Sequence, residues 1–118
     1  MKLAATVLDA PDPQALARFY RDLLGWQVAH DEPDWVTLRP ADGGTGLSFQ
    51  TERRYRRPTW PAGEGDQQMM VHLDIEVEDL VAACARAEEL GATVAGFQPQ
   101  DDVRVLLDPA GHPFCLFT

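Results

Sequence analysis

The 118-residue sequence predicts an α+β fold built of two tandem βαβββ modules. The first observation behind this reading is an internal repeat. Ala5 to Val28, ATVLDAPDPQALARFYRDLLGWQV, matches His72 to Val94, HLDIEVEDLVAACARAEELGATV; each passes from an extended apolar segment through an acidic turn and an amphipathic stretch to Leu-Gly. Ala5 and His72 lie 67 positions apart, and Gly25 and Gly91 lie 66 apart after one deletion. A near-constant offset of this kind marks a duplicated structural unit. The second observation is periodicity: Leu73, Ile75 and Val77 alternate with His72, Asp74 and Glu76, the period of a strand with one packed face. The third is a shared turn, since Leu38-Arg39-Pro40-Ala41-Asp42-Gly43 is echoed by Leu107-Asp108-Pro109-Ala110-Gly111.

The first module, residues 1–51, opens with a strand from Ala5. A helix then starts at Asp12-Pro13, an N-cap followed by proline at the first helical position, and stops at Gly25. Leu16, Phe19 and Leu23 share one face of it, and that stripe is read as core. Strands at Trp26 to His30, Trp35 to Arg39 and Gly46 to Thr51 complete the module, with turns at Glu32-Pro33-Asp34 and Ala41 to Gly44. Residues 52–67 read as a connection, Arg-rich and then Pro- and Gly-rich. Arg53, Arg54, Arg56 and Arg57 flank Tyr55 there; a solvated loop is the plain reading, and a flap for an anionic small molecule or an acidic partner subunit is the functional one. In the second module, residues 68–118, Glu78-Asp79 opens a helix through Cys84 to Leu90, with acids in its first turn and Gly91 as its stop. Strands at Ala92 to Phe97, Val103 to Leu107 and Pro113 to Phe117 follow.

A single domain of this length, with 45% hydrophobic residues, buries enough surface to fold without disulfides or a structural metal. Cys84 and Cys115 therefore need not be staples, and the opening MKLAATVLDAPDP lacks the apolar core of a secretion signal, so a cytoplasmic location is expected. No apolar run is long enough for a membrane span. Ten Lys and Arg against nineteen Asp and Glu give a net charge of -9, which repels phosphate backbones and anionic membranes; neither nucleic acid nor membrane is an expected partner.

The order of these pieces carries a resemblance. Two βαβββ units, Phe19-Tyr20 and then Leu23-Leu24-Gly25-Trp26 at the end of the first helix, HLDIEVEDL opening the second unit and the closing DPAGHPFCLF resemble the vicinal oxygen chelate superfamily, which includes glyoxalase I, bleomycin resistance proteins and extradiol dioxygenases. The likeness covers essentially the whole chain. It implies eight strands in a curled mixed sheet around a cavity, with the helices on the outer face, and a homodimer.

The resemblance also supplies a test for metal. In metal-dependent relatives, one position on the first and one on the last strand of each unit carry His, Gln or Glu around a divalent ion. Those positions fall here on Ala5, Ser48, His72 and Cys115, with Gln50 admitted in place of Ser48 by a register slip. Alanine offers no donor, and a catalytic centre needs at least three good protein ligands. Asp74 and Glu76 share the strand face of His72, but same-face neighbours stand about 6.6 Å apart and are expected to diverge rather than converge on an ion. No metal and no other cofactor are therefore expected.

His72 reads first as a hydrogen-bonding pocket residue, next as the relic of a lost metal site, and otherwise as a general acid or base. A Cys115–His72 nucleophilic pair would need a third, orienting group, which the sequence does not show. Cys84 reads as packing and His112 as a turn residue. Of the tryptophans, Trp26 reads as core, Trp35 as core or cavity rim, and Trp60 as a ligand lid or a subunit contact. The function expected is metal-independent binding of a hydrophobic or aromatic small molecule, anchored by Ser48, Gln50, His72, Cys115, Trp35 and Trp60. The alternative is an enzyme of lyase, isomerase or dioxygenase type using His72 as a residual metal ligand or as acid or base.

Overall fold

The computed structural model describes residues 1–118 and divides into two compact units, Met1–Tyr55 and Arg56–Thr118. Unit 1 runs β1 (Ala5–Ala10), α1 (Pro13–Leu24), β2 (Gln27–Glu32), β3 (Trp35–Arg39) and β4 (Gly46–Thr51). Unit 2 repeats the order with β5 (Leu73–Glu76), α2 (Leu80–Glu89), β6 (Thr93–Val94), β7 (Val103–Leu107) and β8 (Pro113–Phe117). The eight strands fall into two four-stranded mixed sheets, ordered β1-β4-β3-β2 and β5-β8-β7-β6. In each sheet the first and last strands are parallel neighbours, and the remaining pairs are antiparallel.

The helices start and stop where local chemistry requires. The Asp12 carboxylate accepts the Ala15 N–H at 3.0 Å, Pro13 fills the first turn, and Gly25 closes α1 at φ 68°. That left-handed conformation is open to glycine at little cost. The Asp79 carboxylate caps α2 in the same way through the Ala82 N–H, also at 3.0 Å. Neither Glu78 nor Asp79 lies in the first turn of α2 as expected; the acid acts as the cap itself, one step before the helix.

The core of unit 1 lies between α1 and one face of its sheet. Leu16 and Phe19 are buried against Leu8, Val36, Leu38, Leu47 and Phe49, while Leu23 is only half-buried. Tyr20 stacks on Phe49 at 5.7 Å between ring centroids and meets Phe19 edge-on at 4.9 Å. Each large apolar side chain buried in this way contributes about 1.5–3 kcal/mol. Unit 2 is leaner. Leu106, Phe114 and Leu116 fill the helix side of its sheet, but α2 buries only Ala87 completely.

The strand expected at Ala92 to Phe97 shrinks to Thr93–Val94 for an identifiable reason. Beyond Ala95, whose N–H still bonds to the Val105 carbonyl, the Gln98 side chain takes over the ladder. Its Oε1 accepts the Val105 N–H, and its Nε2 donates to the carbonyls of both Ala95 and Val105, all at 2.9 Å. A side-chain amide carries the donor and acceptor of a peptide group, so it replaces the strand here. At the other sheet, β2 begins after Trp26 and extends to Glu32, with an irregularity between Val28 and His30.

Candidate functional site

The sheet face of unit 2 that is turned away from α2 forms the floor of a pocket of about 410 Å³. Alternation along the strands selects its residues: Val103 and Val105 from β7, Pro113, Cys115 and Phe117 from β8, and Asp74 from β5. His72, just before β5, has the same parity and joins them. Trp60, Met69, Pro99 and Gln100 form the walls. The Trp60 indole is held by its Nε1–H, which donates to the Phe97 carbonyl at 3.3 Å, and by the Phe97 ring at 6.3 Å.

Three polar groups meet on this floor. Asp74 and Cys115 are direct partners in the parallel β5–β8 ladder, which places their side chains side by side. His72 reaches forward so that its Nε2 lies 3.2 Å from Asp74 Oδ1. One donor atom from each of His72, Asp74 and Cys115 lies within 4.8 Å of the other two. The expectation that Asp74 would diverge from His72 is thus overturned. Strand rise fixes the spacing of the backbone, but both side chains lean along the strand toward each other. Glu76 has no place in the cluster.

Burial, the charge of Asp74 and a hydrogen bond to it push the Cys115 thiol up to about 11. At neutral pH the sulfur is therefore protonated, which opposes the nucleophilic pair considered from the sequence. Burial also raises the thiol of Cys84, which lines a groove where Leu80, Val81, Ala85 and Glu88 of α2 meet Val94 and Arg104 of the sheet.

The other expected site residues lie in unit 1. Ser48 and Trp35 line an open depression with Ala5, Val7, His30, Thr37 and Arg39. Ser48 is only 2% exposed, its hydroxyl 3.0 Å from that of Thr37, which in turn accepts the Trp35 indole N–H at 3.0 Å. Gln50 points to neither pocket; its amide donates to Asp9 at 2.7 Å. The register shows no slip, since Val7 pairs with Ser48 and Asp9 with Gln50. The same offset that aligns Ala5 with His72 aligns Val7 with Asp74 and Ser48 with Cys115, and the two parallel ladders pair those residues identically.

The four-position metal centre implied by the resemblance does not fit this chain. Ala5 has no donor atom, and the Ser48 hydroxyl is buried in a hydrogen-bonded chain with Thr37 and Trp35. His112 acts as the turn residue expected: its Nδ1 and backbone N–H, with the Ala110 N–H, converge on the buried Asp108 carboxylate. Among the four arginines of the connection, Arg57 is fixed over the same turn, donating to the Pro109 carbonyl at 3.3 Å. Trp60 is half-buried on Phe97 at the start of a loop whose residues 61–68 are exposed. No helix is long and apolar enough to cross a membrane.

Comparison with known proteins agrees with this architecture. The glyoxalase-like domain profile matches residues 5–117. A glyoxalase/bleomycin resistance protein/dioxygenase family enzyme from Burkholderia phytofirmans PsJN is similar over 98% of this chain and 97% of its own, with a TM-score of 0.74 and 17% identity. The glyoxalase family protein from Enterococcus faecalis is similar over 99% and 97%, with a TM-score of 0.71 and 23% identity. A structure named oxidase ChaP-H2 is similar over 100% and 93%, with a TM-score of 0.68 and 21% identity. No curated protein matches the sequence. The duplicated βαβββ unit, its strand order and the match along nearly the whole chain place this protein in the glyoxalase-like domain family of the vicinal oxygen chelate superfamily.

Proposed function

We propose that this protein binds a hydrophobic or aromatic small molecule in the pocket of its second unit. The observation that carries the reading is the pocket itself: a half-open, mainly apolar pocket of about 410 Å³ with Trp60 and Phe117 in its lining and three polar groups gathered on the floor. Ligand sites are of this size and make-up, with apolar walls supplying affinity and a few polar groups fixing orientation. The walls need no ion to do so, and an aromatic ligand gains from Trp60, a large and rotationally restricted surface.

The test is a fluorescence titration with a neutral bicyclic aromatic such as 2-naphthol, in the presence of a chelator. Saturable quenching is expected, lost when Val103→Trp fills the pocket and weakened about tenfold by Trp60→Ala. Quenching that is unsaturable, or unaffected by both substitutions, would overturn the reading.

One contact favours the enzymatic alternative. The Asp74 carboxylate beside His72 Nε2 supplies the orienting group that the sequence had not shown. It bears on His72 as an acid or base; the protonated Cys115 beside the same carboxylate does not act as a nucleophile.

A further inference from the structure

We propose that Arg57 is a positioning residue of the pocket: seated on Gly111, it fixes the chain that leads to Trp60 and so sets the aromatic wall before any ligand arrives. The inference rests on the ligand reading above only for its effect on affinity; the hold on Trp60 is a property of the free protein.

The seat requires a glycine. A Cβ built on Gly111 would overlap Arg57 Cγ and stand 2.6 Å from its Nε and 2.8 Å from its Cζ, closer than side-chain carbons approach. The left-handed φ of 92° also favours glycine there. From this seat the Arg57 guanidinium donates to the Pro109 carbonyl at 3.3 Å. Arginine suits the place better than lysine, because its flat, forked head lies on bare backbone and donates from the same plane.

The platform beneath is held firmly. The turn that carries Gly111 is built on buried Asp108, whose carboxylate accepts the Ala110 and His112 N–H groups, and the Gly111 N–H closes it on the Asp108 carbonyl at 2.8 Å. Pro113, just beyond, lines the pocket. Only Pro58 and Thr59 stand between Arg57 and Trp60. Proline has a fixed φ, and the Thr59 N–H donates to the Gln67 carbonyl at 2.9 Å, so little freedom remains between the latch and the indole. The Trp60 Nε1–H makes the second attachment, to the Phe97 carbonyl. Held at both places, the wall does not have to be ordered by the ligand. Ordering one rotamer-rich side chain on binding lowers affinity about two- to tenfold, and loss of one attachment of two is expected to lower it about threefold.

The experiment measures 2-naphthol affinity by calorimetry on the full chain. Arg57→Ala, at an exposed position, is expected to weaken binding about threefold. Gly111→Ala displaces the intact arginine and should weaken it equally. The matching turn of the first unit supplies the control: Gly43 has φ 75° and nothing within 4 Å of its Cβ, so Gly43→Ala carries the backbone strain without touching a latch and leaves affinity unchanged. Arg57→Lys should behave as Arg57→Ala; unaltered affinity in Arg57→Lys would show that charge alone matters and overturn the proposal. In a Trp60→Ala chain, Arg57→Ala should add no further loss, and an added loss would likewise overturn it. A second readout needs no ligand. In a Trp26→Phe, Trp35→Phe chain, where Trp60 is the sole indole, its nanosecond fluorescence anisotropy should decay further after Arg57→Ala. An unchanged decay, or saturable binding indifferent to both Arg57→Ala and Gly111→Ala, would defeat the latch alone. A freer Trp60 with no 2-naphthol binding in any form would defeat the ligand reading alone.

Discussion

At the scale of single residues, the least ordinary group is the Cys115 thiol, held up at about 11 by burial first and then by the charge and hydrogen bond of Asp74. In the unfolded chain a thiol titrates near 9, the ordinary value for Cys115. Between about pH 9 and about 11 the unfolded state has therefore lost a proton that the folded state keeps, so stability falls as pH rises through that window. Asp74→Ala removes two of the three causes and leaves burial. Its pH profile for alkylation of Cys115, followed by mass spectrometry in a Cys84→Ser background, is expected to move to lower pH; an unmoved profile would show that Asp74 does not govern the thiol. These residue-level facts were only half legible in the sequence. Alternation put His72 and Asp74 on one strand face, and the family resemblance brought Cys115 to the same site, but its pairing with Asp74 appears only in the β5–β8 ladder. Neither could show that two side chains separated by a strand repeat lean together, because that depends on rotamers selected by the packing around them.

At the scale of elements, duplication lets one turn be compared with its copy. In the turn between β7 and β8, Asp108 is 1% exposed and receives the Ala110 N–H, the His112 N–H and the His112 Nδ1 at 2.8–3.1 Å. In the matching turn between β3 and β4, exposed Asp42 receives the Gly44 N–H at 2.8 Å. Asp108→Ala leaves buried donors unpaired and is expected to cost about 3 kcal/mol in urea unfolding. Asp42→Ala, where water can replace the carboxylate, is expected to cost less than about 1 kcal/mol. Equal costs would mean that burial does not set the value of the bond. The turns, both helices and seven of the eight strands follow from caps, prolines and alternation because those signals act within a few residues. Gln98 is the exception that explains the shortened β6: its bonds to Ala95 and Val105 join elements that meet only after the sheet has formed, so no local pattern announces them.

At the scale of the whole molecule, composition and structure combine in the charge balance. Nineteen acidic residues face ten basic ones, and the structure does little to offset them. Only Arg21 and Arg86 form ion pairs with carboxylates, both on exposed helix surface. Arg39, Arg57 and Arg104 instead direct their guanidinium groups at backbone carbonyls. Uncompensated like charge destabilises the compact state, since unfolding moves the carboxylates apart. Salt screens such repulsion over a Debye length that shrinks from about 30 Å at 0.01 M to about 10 Å at 0.1 M. Raising sodium chloride across that range at pH 7 is expected to raise the thermal midpoint by about 4 °C, the shift that corresponds to roughly 1 kcal/mol in a domain of this size. A lower midpoint at higher salt would show instead that the few exposed ion pairs outweigh the net charge of -9, and that the arginines bound to carbonyls still neutralise the acids around them through space.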